Sequence, residues 1–102
     1  MKKIMLVCSS GMSTSLLVQK MQKVAKKRKL DVDIEAVAEA ELKNRVSEIN
    51  VILLGPQVKY LLDDMKKRMK KHDIAVEVID SINYGTMNGK AVLEQALDMM
   101  ED

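Results

Sequence analysis

The sequence predicts an α/β fold: a four-stranded parallel sheet in the order 2-1-3-4, with helices on both faces. Three observations predict it. Short strand-like apolar runs alternate with segments of helical periodicity, in one unit with no repeat and no linker. Two of the strand segments are apolar throughout, while the other two alternate apolar and polar residues. The residues with unusual loop chemistry all fall where a strand ends and a helix begins.

The first strand is read over Lys3–Cys8, apolar from Ile4 onward and therefore buried on both faces. A helix follows from about Ser13 to Lys29. Leu17, Met21 and Val24 recur at helical spacing, and Leu16, Val18 and Ala25 widen the stripe. Its end, Lys26-Lys27-Arg28-Lys29, is a solvated turn whose cations complement the helix dipole. Val32–Val37 alternates as an edge strand does. A short helix around Glu39–Arg45 turns Leu42 and Val46 inward. The third strand, Asn50–Leu54, is again continuously apolar and stops at Gly55-Pro56. Proline in a first helical turn costs nothing, since the N–H there has no partner to lose.

Val58, Leu61, Leu62, Met65 and Met69 then carry a helix to about Lys71. The fourth strand, Ala75–Ile79, alternates and stops at Asp80. Asp80 to Gly85 reads as a loop leading to a last helix, Gly89–Met100, with Val92, Leu93, Ala96, Leu97 and Met100 inside.

Strands separated by helices imply parallel pairing through right-handed crossovers. The two wholly apolar strands belong in the centre and the two alternating strands at the edges, which gives the order 2-1-3-4. Ligands of such sheets bind beyond the carboxyl ends of the strands, where the winding changes direction. Here that point lies between strands one and three, so Cys8 and Gly55 are expected to be neighbours. Cys8 to Ser15, Gly55-Pro56-Gln57 and Asp80 to Gly85 share that edge, while the lysine clusters and His72 fall on the opposite one. A phosphate-carrying role for His72 is disfavoured by that placement.

A chain of 102 residues is expected to be one domain, 1–102. Trp and Phe are absent and Tyr60 and Tyr84 are the two aromatics, so the core must be aliphatic, with nine methionines as filler or as contact surface. A net charge of +2 without aromatic stacking platforms argues against nucleic acid. The N-terminal apolar run breaks at Ser9, too early for a signal peptide. No apolar stretch approaches the roughly 20 residues of a membrane span. A single cysteine permits no internal disulfide, which fits a cytoplasmic setting. No cofactor and no metal is called for, and the short, charged edge strands favour a monomer.

The chemistry concentrates in Cys8-Ser9-Ser10-Gly11-Met12-Ser13-Thr14-Ser15. Cys8 ends a strand, and the small, hydroxyl-rich loop after it opens onto a helix N-terminus. Backbone N–H groups there lack intrahelical partners and the dipole adds positive potential, so the turn favours both phosphate and thiolate. An ordinary cysteine is only a few per cent ionised at pH 7; holding it mostly as thiolate takes about 2.7 kcal/mol of differential stabilisation. Gly11 supplies a backbone conformation that side chains resist. Ser13 or Thr14 is expected to cap the helix, a role compatible with phosphate binding.

No Walker lysine follows, so this is not a nucleotide loop, and no second cysteine makes a thioredoxin-type pair. The phosphate loop after strand one is phosphatase-like, but tyrosine phosphatases carry an arginine where this chain has Thr14. Without that guanidinium the transition state of hydrolysis loses its fork of donors. The expected outcome is a protein that accepts a phosphoryl group and holds it. The alternatives are a small cysteine-dependent phosphatase, or a non-enzymatic module in which Cys8 is structural. Gln57, Asp80 and Tyr84 lie on the same edge and frame the site or its docking surface, with plain turn roles as the competing account.

The chain resembles the enzyme IIB components of the sugar phosphotransferase system, in the lactose/cellobiose/chitobiose class. Cys8 to Val18, Val51 to Gln57, Val78 to Ser81 and Tyr84-Gly85 carry the resemblance, and element order and length agree with it. It implies a cytoplasmic phosphotransferase component that takes a phosphoryl group from the phosphohistidine of enzyme IIA onto Cys8. From there the group passes to a β-disaccharide bound in the membrane permease, enzyme IIC, which would be the chain's sole contact with the membrane. By matching positions, Cys8 is the nucleophile, Ser9 to Ser15 form the phosphate loop, and Gln57 and Tyr84 are rim residues. Both partners must meet the same edge, because phosphorus moves only a few ångströms between them. Met12, at the tip of the loop, is the expected apolar contact.

Overall fold

The computed structural model describes residues 1–9 and 14–100. The elements run β1 (Lys2–Cys8), α1 (Ser15–Lys27), β2 (Val32–Ala38), β3 (Val51–Leu54), α2 (Leu62–Met69), β4 (Ala75–Val78), α3 (Ser81–Gly85) and α4 (Gly89–Met99), with short 3-10 turns between β2 and β3 and on both sides of α2. The sheet is parallel with the order β2-β1-β3-β4, as the burial pattern of the four strands requires. Central β1 is buried from Lys3 to Cys8 and β3 throughout.

Alternation along β1 divides the core in two. Ile4 and Leu6 face α1 and α4, packing with Leu17, Met21, Val92 and Leu93. Met5 and Val7 face the other way, onto Leu42, Val58, Met65 and Met69. Each fully buried Leu or Met of this kind contributes about 2 kcal/mol of transfer free energy. Helices on both faces therefore follow from a sheet that has no solvated side.

Two segments differ from the sequence reading. Asp80 to Gly85 is not a loop: Ser81–Gly85 forms α3, and the Asp80 carboxylate accepts from the N–H groups of Ile82 and Asn83, both at 3.0 Å. An Asp followed by small and β-branched residues reads as a turn, and five residues are too few for periodicity to show. Likewise the helix expected over 56–71 is a 3-10 turn, α2 and a second 3-10 turn, with Val58 outside helical φ/ψ.

Lys3 lies buried across from the charges of β2, 2.5 Å from Asp33 and in contact with Glu35, while Arg45 reaches Glu35 and Glu48, each at 2.6 Å. Burial alone would lower the Lys3 pKa, but the hydrogen bonds and charges of Asp33 and Glu35 outweigh it and the net direction is up. Hydrogen bonds from Lys3 and Arg45 hold the Glu35 carboxyl below the ordinary range. This network ties the 3-10 segment over 39–48 to the sheet.

Candidate functional site

Central strand β1 delivers Cys8 as its last residue, fully buried, on the side that faces α1. Thr14 takes the N-cap position of α1, also fully buried, and its carbonyl accepts from Val18 at 2.9 Å. Its hydroxyl makes no cap hydrogen bond; it sits 3.4 Å from the Cys8 sulfur. The expected cap is thus present in position, while its side chain is turned to the thiol. Ser9 is exposed, and Ser15 is the exposed first residue of α1. Ser10, Gly11, Met12 and Ser13, the middle of the expected phosphate loop, lie outside the described residues.

The other wall comes from β3. The Gly55 N–H donates to the Val7 carbonyl at 2.8 Å, carrying the β1–β3 ladder one residue past Leu54. A Cβ built on Gly55 would lie 3.7 Å from the Cβ of Cys8, so the expected adjacency of these two residues holds. The same point lies 2.6 Å from Gln57 Oε1, so the exposed Gln57 carboxamide stands over Gly55 at this edge. Gln57 Nε2 donates to the Tyr84 hydroxyl at 2.8 Å, joining the segments after β3 and β4. Asp80 stands at the same edge, engaged as the cap of α3.

His72 is exposed at the opposite edge, just before β4. A surface depression of about 660 Å³ also lies there, lined by Lys2, Lys66, Lys70 and Met99 among others, and shares no residue with the Cys8 constellation. Among the described residues no group of three His, Cys, Asp or Glu side chains is placed to hold a metal ion. No helix among them is long and apolar enough to cross a membrane.

Residues 3–95 match the family model of the lactose/cellobiose-specific IIB subunit of the PTS system. The chain belongs to this family. A PTS system oligo-beta-mannoside-specific EIIB component of Bacillus subtilis is 44% identical to it over 100 residues, spanning 98% of this chain and 97% of that protein. The solution structure of a cellobiose-specific phosphotransferase IIB component from Borrelia burgdorferi superposes with a TM-score of 0.80 at 41% identity, covering 97% of this chain and 91% of that one. A lactose-specific EIICB component of Lacticaseibacillus casei is 21% identical over 98 residues, 96% of this chain but 17% of that longer protein. The protein is accordingly a IIB subunit and a phosphotransferase component of the cellobiose/lactose class.

One feature of this IIB subunit escaped the sequence reading. Leu16, Tyr60 and Ile82 are 50%, 76% and 73% exposed, and each follows closely on the carboxyl end of a different strand, β1, β3 or β4. Periodicity puts Leu16 on the apolar stripe of its helix and leaves Tyr60 off the stripe that runs through Val58, Leu61 and Met65, while nothing local marks Ile82 as exposed. All three follow strands at the edge that holds Cys8, where the sequence offers Met12.

Proposed function

We propose that this IIB subunit carries a phosphoryl group on the sulfur of Cys8, between the phosphohistidine of an enzyme IIA and a sugar bound in a membrane permease, enzyme IIC. In the first step the thiolate lone pair attacks phosphorus and the P–N bond breaks, its electron pair returning to the imidazole. In the second step a sugar hydroxyl oxygen attacks phosphorus, the P–S bond breaks, and the thiolate is regenerated as the hydroxyl proton departs. No cofactor enters either step.

The observation that carries this reading is the placement of Cys8 at the carboxyl end of the central strand, its sulfur 3.4 Å from the Thr14 hydroxyl at the start of α1. The first N–H groups of a helix and its dipole favour an anion there, which suits both the thiolate and the dianionic adduct. Ser9 to Ser15 make up the phosphate loop. Thr14 stands where a phosphatase would have arginine, so the adduct is held for transfer instead of being hydrolysed. Gln57, Asp80 and Tyr84 form the rim.

Both partners dock on the Cys8 edge in turn, over Leu16, Tyr60 and Ile82, and their contacts are mutually exclusive. A IIB unit fused within the EIICB relative supports the permease as one partner. The relatives' names differ in sugar, from oligo-beta-mannoside to cellobiose to lactose, at similar coverage of this chain. Sugar choice therefore belongs to the permease, and a β-linked disaccharide of this class is the acceptor. The whole of 1–102 acts as one monomeric, cytoplasmic domain that binds no nucleic acid.

The test is transfer of labelled phosphoryl from a phosphorylated IIA donor. Wild-type protein takes up label that resists alkali and is released by iodine, and Cys8→Ser takes up none. Label retained in the variant overturns the proposal, as does rapid hydrolysis of an aryl phosphate by the wild type, which would make it a phosphatase.

A further inference from the structure

We infer that Gln57 is a positioning residue for phosphoryl transfer, held over Gly55 at the Cys8 edge by the Tyr84 hydroxyl, in the space left open by the missing side chain of Gly55. The inference rests on the phosphocarrier reading above. Gln57 Oε1 lies 2.6 Å from the point a Cβ on residue 55 would occupy, closer than real Cβ atoms come, and Cys8 Cβ lies 3.7 Å from that same point. The carboxamide thus occupies space that any other residue at 55 would contest. Gly55 has φ −62°, open to every residue type, so its value here is room and not conformation.

The far end of the carboxamide is fixed by residues 27 positions away. Its Nε2 donates to the Tyr84 hydroxyl at 2.8 Å, and Tyr84 packs its ring against the core from within α3. That short helix is itself braced. Asp80 caps it, the Asp80 N–H donates to Gln95 Oε1 at 3.2 Å, and Gln95 Nε2 donates to the Val78 carbonyl at 2.9 Å. A chain of contacts therefore runs from α4 through α3 to Gln57, which stands over Gly55, the neighbour of Cys8. Group transfer depends on reacting atoms meeting within a few ångströms in fixed alignment, and misplacement by about 1 Å can cost a hundredfold. A side chain braced by such contacts needs less reorganisation when the donor arrives.

The experiment is quenched-flow transfer from phosphorylated IIA at varied donor concentration. Gln57→Ala and Tyr84→Phe are each expected to lower the maximal transfer rate about tenfold, with the half-saturating donor concentration unchanged. The double variant is no slower than either single one, because the two act as a unit. Gly55→Ala shows the same loss in the wild-type background and no further loss in Gln57→Ala, where its methyl has room. Tyr84→Phe keeps its ring in the core, so it stays folded and readable even where another variant does not. Unchanged maximal rates, multiplying losses in the double variant, or a rise confined to the half-saturating concentration overturns the inference. A wild-type protein that takes no label overturns the phosphocarrier reading, and this inference with it; label in the wild type with unaffected variants overturns this inference alone.

Discussion

The hydroxyl of Thr14 lies 3.4 Å from the sulfur of Cys8, although Thr14 occupies the N-cap of α1 and a threonine there ordinarily bonds to the first helical N–H groups. Its side chain faces the thiol and makes no cap hydrogen bond. Thr14→Val is therefore expected to act on chemistry more than on folding. Alkylation of Cys8 at pH 7 slows about tenfold and its pH profile moves upward, as loss of a hydrogen bond to a charged group implies. The unfolding free energy changes by less than about 1 kcal/mol, since no cap is lost. An unchanged alkylation profile would show that the hydroxyl is only a neighbour.

Ile82 is 73% exposed on the rim of the Cys8 edge. An aspartate there puts a charge into an apolar contact without touching the core. Ile82→Asp is expected to raise the half-saturating concentration of a phosphorylated IIA donor about tenfold, with the thermal midpoint unmoved. Saturation at the wild-type concentration would remove Ile82 from the docking surface.

Gly89 opens α4 directly against the backbone of α1. A Cβ on it would fall 2.9 Å from the Lys20 carbonyl carbon and 3.0 Å from the Met21 nitrogen, atoms that cannot yield as a side-chain tip can. Alanine is normally the better helix former by about 1 kcal/mol. Gly89→Ala should nonetheless destabilise by about 1–3 kcal/mol as α1 and α4 are forced apart. Gly85→Ala is the control, since nothing lies within 4 Å of its Cβ. Denaturant midpoints that move equally in both variants would refute the steric account.

Acid should loosen the Lys3 network. Glu35 is held below the usual carboxylate range by hydrogen bonds from Lys3 and Arg45, and Glu48 in the same direction by Arg45. The folded state therefore binds fewer protons than the unfolded chain. The stability this confers is complete above the unfolded carboxylate value and is lost as pH falls through the lower folded one. Lys3 shifts upward, so its share persists at neutral pH and fades only in strong alkali. Urea unfolding of the wild type from pH 7 to pH 3 is expected to show a stability loss that Glu35→Gln partly abolishes. Parallel pH curves for the two proteins would exclude Glu35 as the cause.

The sheet order was legible in the sequence because burial on both faces leaves a local mark. Ile4 to Val7 and Val51 to Leu54 are unbroken apolar runs and lie in the centre, while Val32–Val37 and Ala75–Ile79 alternate and lie at the edges. The adjacency of Cys8 and Gly55 followed from that order. Asp33 and Glu35 alternate just as a solvated strand would, and no local pattern says that Lys3 and Arg45 are waiting across from them.

The sequence by itself determined which residues end each strand, and so which ones gather at the edge around Cys8. Only the tertiary structure decided what those residues do there: that Thr14 turns to the sulfur, that Gln57 reaches Tyr84 over Gly55, and that Leu16, Tyr60 and Ile82 are each exposed. The reason is range. Apolar period and chain punctuation are written within a few neighbouring residues, whereas hydrogen bonds between residues 27 apart depend on how separate loops are brought to one place by the packed sheet beneath them.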